Sequence, residues 1–315
     1  MSNNPVTKTI GNKNHDGLFK EMLCCFFKEY IEFTQPHVLE MLDFTHLIPR
    51  DTHVSGLEPI KRKGTDFYVD AAFEVNKRNG EKVIFHIEAQ SYYQPEFPER
   101  MYEYNALCRI KYGLDVTSQA ICFNTNQRNI PDNISYTDFT TGKVSNTSNY
   151  VKIDLNSYNI NDHRNSDNLF VIATLGLMKG YDKLNPSEKA ELKLQSYIKL
   201  YNNRLEKRRH SLISSFLEIY MVLDEGAHKS FISRLEEENQ RKNGLEEWVM
   251  QMAENNEWAK IIISKKGKEK EKEFVKNIIN RYKEKDDNVL AELANTTLDT
   301  VREAKRELES QKPPQ

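Results

Sequence analysis

A pair of alternating segments separated by a short turn constrains the fold of this chain more than any other feature. In residues 67–75 every second residue is apolar, and the same alternation recurs in residues 82–90. A period of two is typical of β-strands that bury one face. Between them stands Arg78-Asn79-Gly80, a strong turn sequence because asparagine and glycine tolerate the left-handed backbone that hairpins need. The sequence therefore predicts a β-hairpin with one buried face.

Helical and strand patterns surround this hairpin. Residues 16–33 repeat apolar side chains at intervals of three and four, which predicts a first helix that ends at Pro36. Residues 98–112 show the same helical spacing, and residues 116–123 predict a further strand. The resulting order of helix, two strands, helix and strand indicates an α/β fold.

The second half of the chain has a different pattern. Residues 124–168 are rich in Asn, Ser, Thr and Asp, which predicts loops and hairpins that close a first domain. Beyond residue 168 the pattern is helical, with amphipathic segments at 169–178, 187–205, 212–223 and 229–238. A chain of 315 residues is long enough for two average domains or for one core with an appendage. We therefore predict a first domain at 1–168, a helical region at 169–258 and a tail at 259–315.

Charge is balanced over the whole chain but not along it. The 45 Lys and Arg residues face 47 Asp and Glu residues, and the net charge of −2 excludes a broad positive field for nucleic acid. Residues 259–285 nevertheless hold ten basic residues against four glutamates, a local charge of +6. This segment fits either a phosphate-binding helix or a solvated helix face. Residues 289–308 fit a helix-turn-helix, and equally a helical hairpin used for packing or self-association.

Several classes of protein are excluded by the sequence. It contains no run of eighteen or more uncharged apolar residues, and its N-terminus lacks the basic region and apolar core of a signal peptide. We expect a soluble cytoplasmic protein with no membrane partner. The four cysteines contain no CxxC spacing, so neither a zinc site nor a disulfide framework is predicted. We expect reduced core thiols at Cys24, Cys25, Cys108 and Cys122.

Three polar side chains on the predicted hairpin are candidate site residues. Glu88 and Gln90 lie two positions apart on the second strand, so they point to the same face. A loop of three residues with a left-handed Gly80 would set Asp70 opposite Glu88, whereas a two-residue turn would set the neighbouring alanine there. Asp66 would lie four residues further along, about 13 Å away at roughly 3.3 Å per residue. Asp70 is therefore the better partner.

The chemistry of this pair follows from its charge. Two carboxylates that meet on one strand face repel each other, and a cation between them relieves the repulsion. Hard oxygen ligands suit Mg²⁺ or Mn²⁺, which keep several waters and bridge to substrate phosphate. Such a metal lowers the pKa of a bound water and stabilises the charge that develops on a phosphodiester. Asp70 and Glu88 thus predict metal-assisted phosphodiester hydrolysis.

Three stretches around these residues resemble one nuclease family. They read His-Ile-Glu-Ala-Gln-Ser at residues 86–91, Phe-Pro-Glu-Arg-Met-Tyr at residues 97–102 with Tyr104 beyond, and His-Asp-Gly-Leu-Phe-Lys at residues 15–20. Together they resemble the recombination-promoting nuclease (Rpn) family, also described as YhgA-like transposases, within the PD-(D/E)XK nuclease superfamily. The resemblance covers residues 14–123 closely and extends loosely to residue 308.

This resemblance implies an αβββαβ core with an all-helical C-terminal region, and a DNA endonuclease linked to recombination and transposition. Asp70 and Glu88 would be the metal carboxylates for Mg²⁺, with Mn²⁺ as the alternative, and DNA would be the partner. Gln90 stands where the superfamily usually has Lys, as the Rpn branch itself tends to have. Asp16 matches an acidic position at the start of the first helix and would be an outer or third acidic contributor.

The chain departs from the superfamily pattern in two ways. No Pro precedes Asp70, and Asp66 competes for the same role. Gln90 is neutral, so it cannot supply the positive charge that a Lys would give to the transition state. It can still hydrogen-bond a water or a phosphate oxygen. Activity would then be low, or it would be helped by a nearby cation, for which the candidates are Lys61, Arg62, Lys63 and Arg100.

Some of these residues also have ordinary structural interpretations. Arg100 and Tyr104 fit as anchors of the helix that follows the hairpin, although a guanidinium there could clamp a phosphate. His86 shares the face of Glu88 and fits either a general base or a hydrogen-bonded buried histidine.

A second hypothesis keeps the nuclease fold without catalysis. The neutral Gln90 and the long helical tail are also consistent with a weak or inactive nuclease-fold module for DNA binding or protein assembly. The amphipathic surface of residues 169–308 is large enough to support a homo-oligomer under either hypothesis.

Overall fold

The computed structural model describes residues 12–53, 69–90, 94–123, 130–203 and 205–254, and in the C-terminal segment residues 279, 286–287, 289–290, 301–302 and 304–306. The chain forms two compact units, one of Gly11–Asn256 and one of Met1–Ile10 with Glu257–Gln315. All the helices and strands labelled below belong to the first unit. The finer division into residues 1–168 and 169–258 stays a prediction.

A five-stranded sheet forms the centre of the first unit. Its strands lie in the order β1 (Leu42–Pro49), β2 (Ala71–Lys77), β3 (Lys82–Gln90), β4 (Asp115–Cys122) and β7 (Val151–Asp154). The first three strands pair antiparallel, whereas β3, β4 and β7 pair parallel. Two further strands, β5 (Asn133–Thr137) and β6 (Val144–Asn149), form a separate antiparallel hairpin. This mixed sheet with its helices confirms the predicted α/β class.

The helices follow the predicted spacing closely. Nine are described: α1 (Asn12–Thr34), α2 (Pro36–Leu39), α3 (Phe97–Tyr112), α4 (Ile160–His163), α5 (Leu169–Thr174), α6 (Pro186–Asn202), α7 (Lys207–Tyr220), α8 (Glu225–Arg241) and α9 (Leu245–Glu254). The predicted helix at 169–178 is shorter than expected, because the chain changes to a 3₁₀ turn at Leu175–Leu177. Helices α2, α4 and α9 were not predicted from the sequence.

No residue pattern predicted strand β1, although the αβββαβ core implied by the resemblance has a strand at this place. It is an edge strand, and its pairing with β2 shifts register between Asp43 and Ile48. The shift breaks the alternation of buried and exposed side chains that marks a strand in the sequence. Pro49 at its end is tolerated because an edge strand leaves one side of its backbone unpaired.

Helices cover both faces of the sheet. On one face, the Phe27 ring of α1 lies 4.9 Å from the ring of Phe73 and 5.2 Å from that of Phe85. On the other face, α3 packs Phe97 and Met101 against small side chains of β4. The alternate residues of β3 that face α3 are His86, Glu88 and Gln90, and all three are buried.

The register of the central hairpin confirms the three-residue loop. The backbone N–H of Lys77 donates to the carbonyl of Glu81 at 2.7 Å, and Gly80 between them has φ of 88°. Ala71 pairs with Ile87, which excludes the two-residue turn. The first strand of this hairpin, β2, begins at Ala71, whereas the sequence pattern predicted a start at residue 67.

The predictions about membrane-spanning helices and about the cysteines can both be compared with the described residues. No described helix has both the length and the apolar character needed to cross a membrane. The cysteines are free thiols, with Cys108 and Cys122 buried in the core. Cys24 and Cys25 are half-buried, so the expectation of a core position holds for only two of the four.

In the second unit, the described residues include a small ionic cluster. The Asp287 carboxylate lies 2.5 Å from Lys305 Nζ and 3.9 Å from Arg302 Nε. Almost all of the basic segment 259–285, and most of the predicted helix-turn-helix at 289–308, lie outside the described residues. Their roles therefore stay predictions.

A close backbone contact yields a stability prediction. A Cβ added at Gly176 would lie 2.5 Å from the backbone oxygen of Tyr220 at the end of α7, where no side-chain rotation can relieve the clash. We expect Gly176→Ala to lower the free energy of unfolding by about 1–3 kcal/mol, measured by urea denaturation. Gly226→Ala is the matched control, because its added Cβ would come no closer than 3.5 Å to a neighbour. Equal stability of Gly176→Ala and the wild type would contradict this packing.

Candidate active site

The central hairpin brings Asp70 and Glu88 together as predicted. Asp70 lies one residue before β2, and the pairing of Ala71 with Ile87 sets it opposite Glu88. The Asp70 backbone N–H donates to Glu88 Oε1 at 2.9 Å, and the Ala89 backbone N–H donates to Asp70 Oδ2 at 2.8 Å. A backbone N–H on each side of the hairpin therefore donates to the carboxylate on the opposite side.

Burial gives this pair unusual proton chemistry. Glu88 is 3% exposed, and Asp70 is half-buried. Desolvation, followed by the nearby charge of Glu88, raises the pKa of Asp70 to about 7, although the Ala89 N–H and Arg100 act in the opposite direction. Near neutral pH the Asp70 carboxyl therefore keeps part of its proton.

Another carboxylate on the same sheet face shows the contrast. Glu74 on β2 is buried, but its Oε1 lies 2.7 Å from Lys82 Nζ and its Oε2 accepts from the guanidinium of Arg50. Hydrogen bonds from these two cations lower the pKa of Glu74. Glu74 is thus an ordinary ion-paired residue, whereas the charge of Asp70 and Glu88 is only partly offset.

Arg100 supplies positive charge beside Gln90. This residue lies in the first turn of α3, and its Nη2 donates to Gln90 Oε1 at 2.8 Å. Its Nε lies 3.9 Å from Glu88 Oε2 and, among the described residues, has no hydrogen-bond acceptor. Of the four candidate cations, Arg100 reaches the site, and the other three lie outside the described residues. The anchoring interpretation also holds, because the guanidinium lies 5.0 Å from the Phe97 ring and donates to Gln94 Oε1.

His86 is a buried, hydrogen-bonded histidine rather than an exposed base. It is 0% exposed, and burial lowers its pKa to about 4, so the ring is neutral at pH 7. Its Nδ1 lies 2.9 Å from Ser118 Oγ, and its Nε2 lies 3.2 Å from Glu88 Oε1. The contact with Glu88 is therefore a hydrogen bond of the neutral His86 ring and not an ion pair.

Tyr104 lines the site one turn after Arg100 on α3. Its ring contacts the His86 ring edge to face, with centroids 5.8 Å apart. Burial, followed by the charge of Glu88, raises the pKa of Tyr104 to about 12, so the phenol stays neutral. Arg100 and Tyr104 therefore lie one turn apart on the same side of α3.

The remaining predicted site residues are not placed. Asp16 lies within α1, but its side chain is outside the described part of the structure. Asp66, the competitor of Asp70, also lies outside the described residues. Of the two aspartates, Asp70 is the one that the described structure brings to Glu88.

Asp70 and Glu88 would hold a divalent cation, and their chemistry fits one. The described residues contain no group of three or more His, Cys, Asp and Glu side chains that could hold a metal. Two carboxylates suit Mg²⁺, which completes its octahedral coordination with waters and substrate phosphate. The raised pKa of Asp70 records a repulsion that a cation would relieve. Asp70 and Glu88 would supply only part of the oxygen ligands of such a cation, and the remaining ligand oxygens would come from solvent or substrate.

No family model, no curated protein and no solved structure matches this chain. The resemblance to the Rpn family therefore stays a prediction based on the quoted residues.

Two site residues were missed by the sequence analysis. Ser118 lies beside His86 because β3 pairs in parallel with β4, and Asn105 reaches Ser118 from α3 at 2.9 Å. The available signal was the polar Ser118 two positions before the buried Ala120 on β4. The partner of that residue depends on a pairing that the local pattern does not specify.

The pKa of Asp70 predicts a pH-dependent effect on stability. Because folding raises this pKa above the ordinary value of 3.8, the folded protein holds a proton that the unfolded chain releases between about pH 4 and pH 7. Stability therefore falls as the pH rises through this window. We expect Asp70→Asn to match the wild type near pH 4 and to exceed it by about 2 kcal/mol at pH 8 without divalent cations, measured by urea denaturation.

Glu81→Gln is the control for this experiment, because Glu81 lies at the exposed end of the hairpin. It should show no gain at pH 8. A loss of stability in Asp70→Asn that is equal at both pH values would contradict the repulsion.

Proposed function

We propose that this protein is a metal-dependent DNA endonuclease that hydrolyses phosphodiester bonds. The observation that carries the proposal is the pair formed by the half-buried Asp70 and the buried Glu88, each carboxylate held by a backbone N–H of the other segment, beside the Gln90 amide and the Arg100 guanidinium. Such a pair suits a hard divalent cation and the phosphate chemistry that the cation supports.

The order of elements supports the same proposal. Apart from the single turn α2, the chain runs α1, β1, β2, β3, α3, β4. This is the αβββαβ order implied by the resemblance to PD-(D/E)XK nucleases. The carboxylates lie at the start of β2 and near the end of β3, on the face that α3 covers. The specific fold family is part of this proposal, as is a link to recombination or transposition.

Each side chain has a distinct role in the proposed reaction. Asp70 and Glu88 would bind Mg²⁺, or Mn²⁺ in its place, and the bound cation would lower the pKa of a water and offset charge on the phosphate. The bond from Arg100 orients the Gln90 amide with its oxygen toward the guanidinium. Arg100 adds the positive charge that Gln90 lacks, from a helix instead of the strand.

Nicking of supercoiled plasmid tests this function. We expect the wild type to nick DNA with Mg²⁺, and Glu88→Gln to lower the rate at least about 100-fold, because it removes a cation ligand and its charge. Glu81→Gln should cut at the wild-type rate. Equal rates for the wild type and Glu88→Gln would refute the catalytic assignment.

Arg100 gives a second prediction, in which two readouts move in opposite directions. Arg100→Gln removes a cation 3.9 Å from Glu88, so Mn²⁺ should bind more tightly by calorimetry. The nicking rate should nevertheless fall, by about 10- to 100-fold, because the charge near the transition state is lost. Arg109→Gln, exposed on the same helix and paired with Asp115, is the control and should change neither. Weaker Mn²⁺ binding in Arg100→Gln would contradict the proposed arrangement.

A non-catalytic module for DNA binding or assembly is the second candidate function. Arg100 favours it, because its charge already offsets part of the acidic pair without a metal. This candidate predicts salt-sensitive DNA binding that survives Glu88→Gln and no nicking with any divalent cation. The plasmid experiment thus separates the two candidates.

A further inference from the structure

A row of hydrogen-bonding groups connects α3 to the candidate site through two strands. Asn105 Nδ2 lies 2.9 Å from Ser118 Oγ, and Ser118 Oγ lies 2.9 Å from His86 Nδ1. The other ring nitrogen of His86, Nε2, lies 3.2 Å from Glu88 Oε1. Ser118 and His86 are buried, and they are paired residues of β4 and β3.

The two ends of this row fix its direction. At one end, Asn105 Nδ2 also lies 3.4 Å from the carbonyl of Val116, which only accepts, so the amide nitrogen faces Ser118. At the other end, Glu88 Oε1 already accepts the backbone N–H of Asp70. With Glu88 as a carboxylate, which only accepts, the hydrogen between Glu88 and His86 belongs to His86 Nε2.

The middle of the row follows from its ends. A neutral His86 with hydrogen on Nε2 has an unprotonated Nδ1, which accepts the Ser118 hydroxyl hydrogen. Ser118 Oγ in turn accepts from Asn105. A hydrogen on His86 Nδ1 would compete with this arrangement, because the Ser118 hydroxyl would lose its acceptor in the row. Every donor thus points toward Glu88, from Asn105 through Ser118 and His86.

We propose that Asn105, Ser118 and His86 form a hydrogen-bond relay that positions the Glu88 carboxylate for a divalent cation. The relay holds His86 as the Nε2–H tautomer, and Glu88 Oε1 is then fixed from two sides, by this N–H and by the Asp70 N–H. The three residues are positioning residues. Only the cation in this statement rests on the proposed function, because the tautomer is a property of the metal-free protein.

Nitrogen-15 NMR of the metal-free full chain tests the relay directly, with His86→Gln identifying the His86 signals. The wild type should show hydrogen on Nε2. Ser118→Ala should weaken this preference, because only Glu88 then favours the hydrogen on Nε2. Asn105→Asp should raise the share of the Nδ1–H tautomer, because a carboxylate accepts from Ser118 and leaves Ser118 Oγ to accept from His86 Nδ1. Ser135→Ala, on exposed β5, is the control and should leave the spectrum of His86 unchanged.

An Nδ1–H tautomer in the wild type, or an unchanged tautomer in Asn105→Asp, would overturn the relay. Asn105→Asp preserves side-chain volume at a half-buried position. It therefore decides the question even if Ser118→Ala fails to fold.

Titration of Mn²⁺ alone by calorimetry tests the positioning role. Ser118→Ala and Asn105→Asp should each weaken Mn²⁺ binding about 10-fold, the size of effect typical of groups that orient a metal ligand. Ser118→Thr keeps the hydroxyl and should restore affinity to within about twofold of the wild type. A changed tautomer with unchanged Mn²⁺ affinity would overturn the positioning role. A wild type that binds no Mn²⁺ would instead refute the proposed function, while the tautomer would still decide the relay.

Discussion

The candidate site depends on the repulsion between two carboxylates that the central hairpin holds close together. Asp70 and Glu88 come from different strands, and each accepts a backbone N–H from the other strand. The pairing of the strands therefore brings the charges together, and burial reduces the screening of their repulsion by water. The raised pKa of Asp70 is the consequence. The surrounding groups either reduce this repulsion, as Arg100 does, or orient the pair, as His86 does.

The turn at Gly80 controls this arrangement from a distance. Because side chains alternate along a strand, a slip of one residue in the pairing would turn one carboxylate to the opposite face, toward α1. The left-handed glycine sets the three-residue loop and with it the pairing of Ala71 with Ile87. The site thus depends on a turn ten residues away from Asp70 along the chain.

Sequence reasoning reaches the parts of the site that depend on local patterns. Strand alternation and turn chemistry limited the residue opposite Glu88 to Asp70 or the neighbouring alanine, and the pairing of Ala71 with Ile87 selects Asp70. The contact of Arg100 with Gln90 was only one of four alternatives, because it depends on how α3 is rotated against the sheet. The partners of His86 were missed, since Ser118 comes from a parallel strand that follows an intervening helix. Edge strand β1 was missed because a register shift disrupts its alternation.

The proposed function depends on a divalent cation that Asp70 and Glu88 bind together. A crystal structure of the protein soaked in Mn²⁺, with the metal located by its anomalous scattering, tests this proposal. We expect a single strong peak bound by oxygens of both carboxylates at about 2.0–2.6 Å, with waters completing the coordination. A crystal with no peak at this pair, or with a cation held by one carboxylate alone, would contradict it.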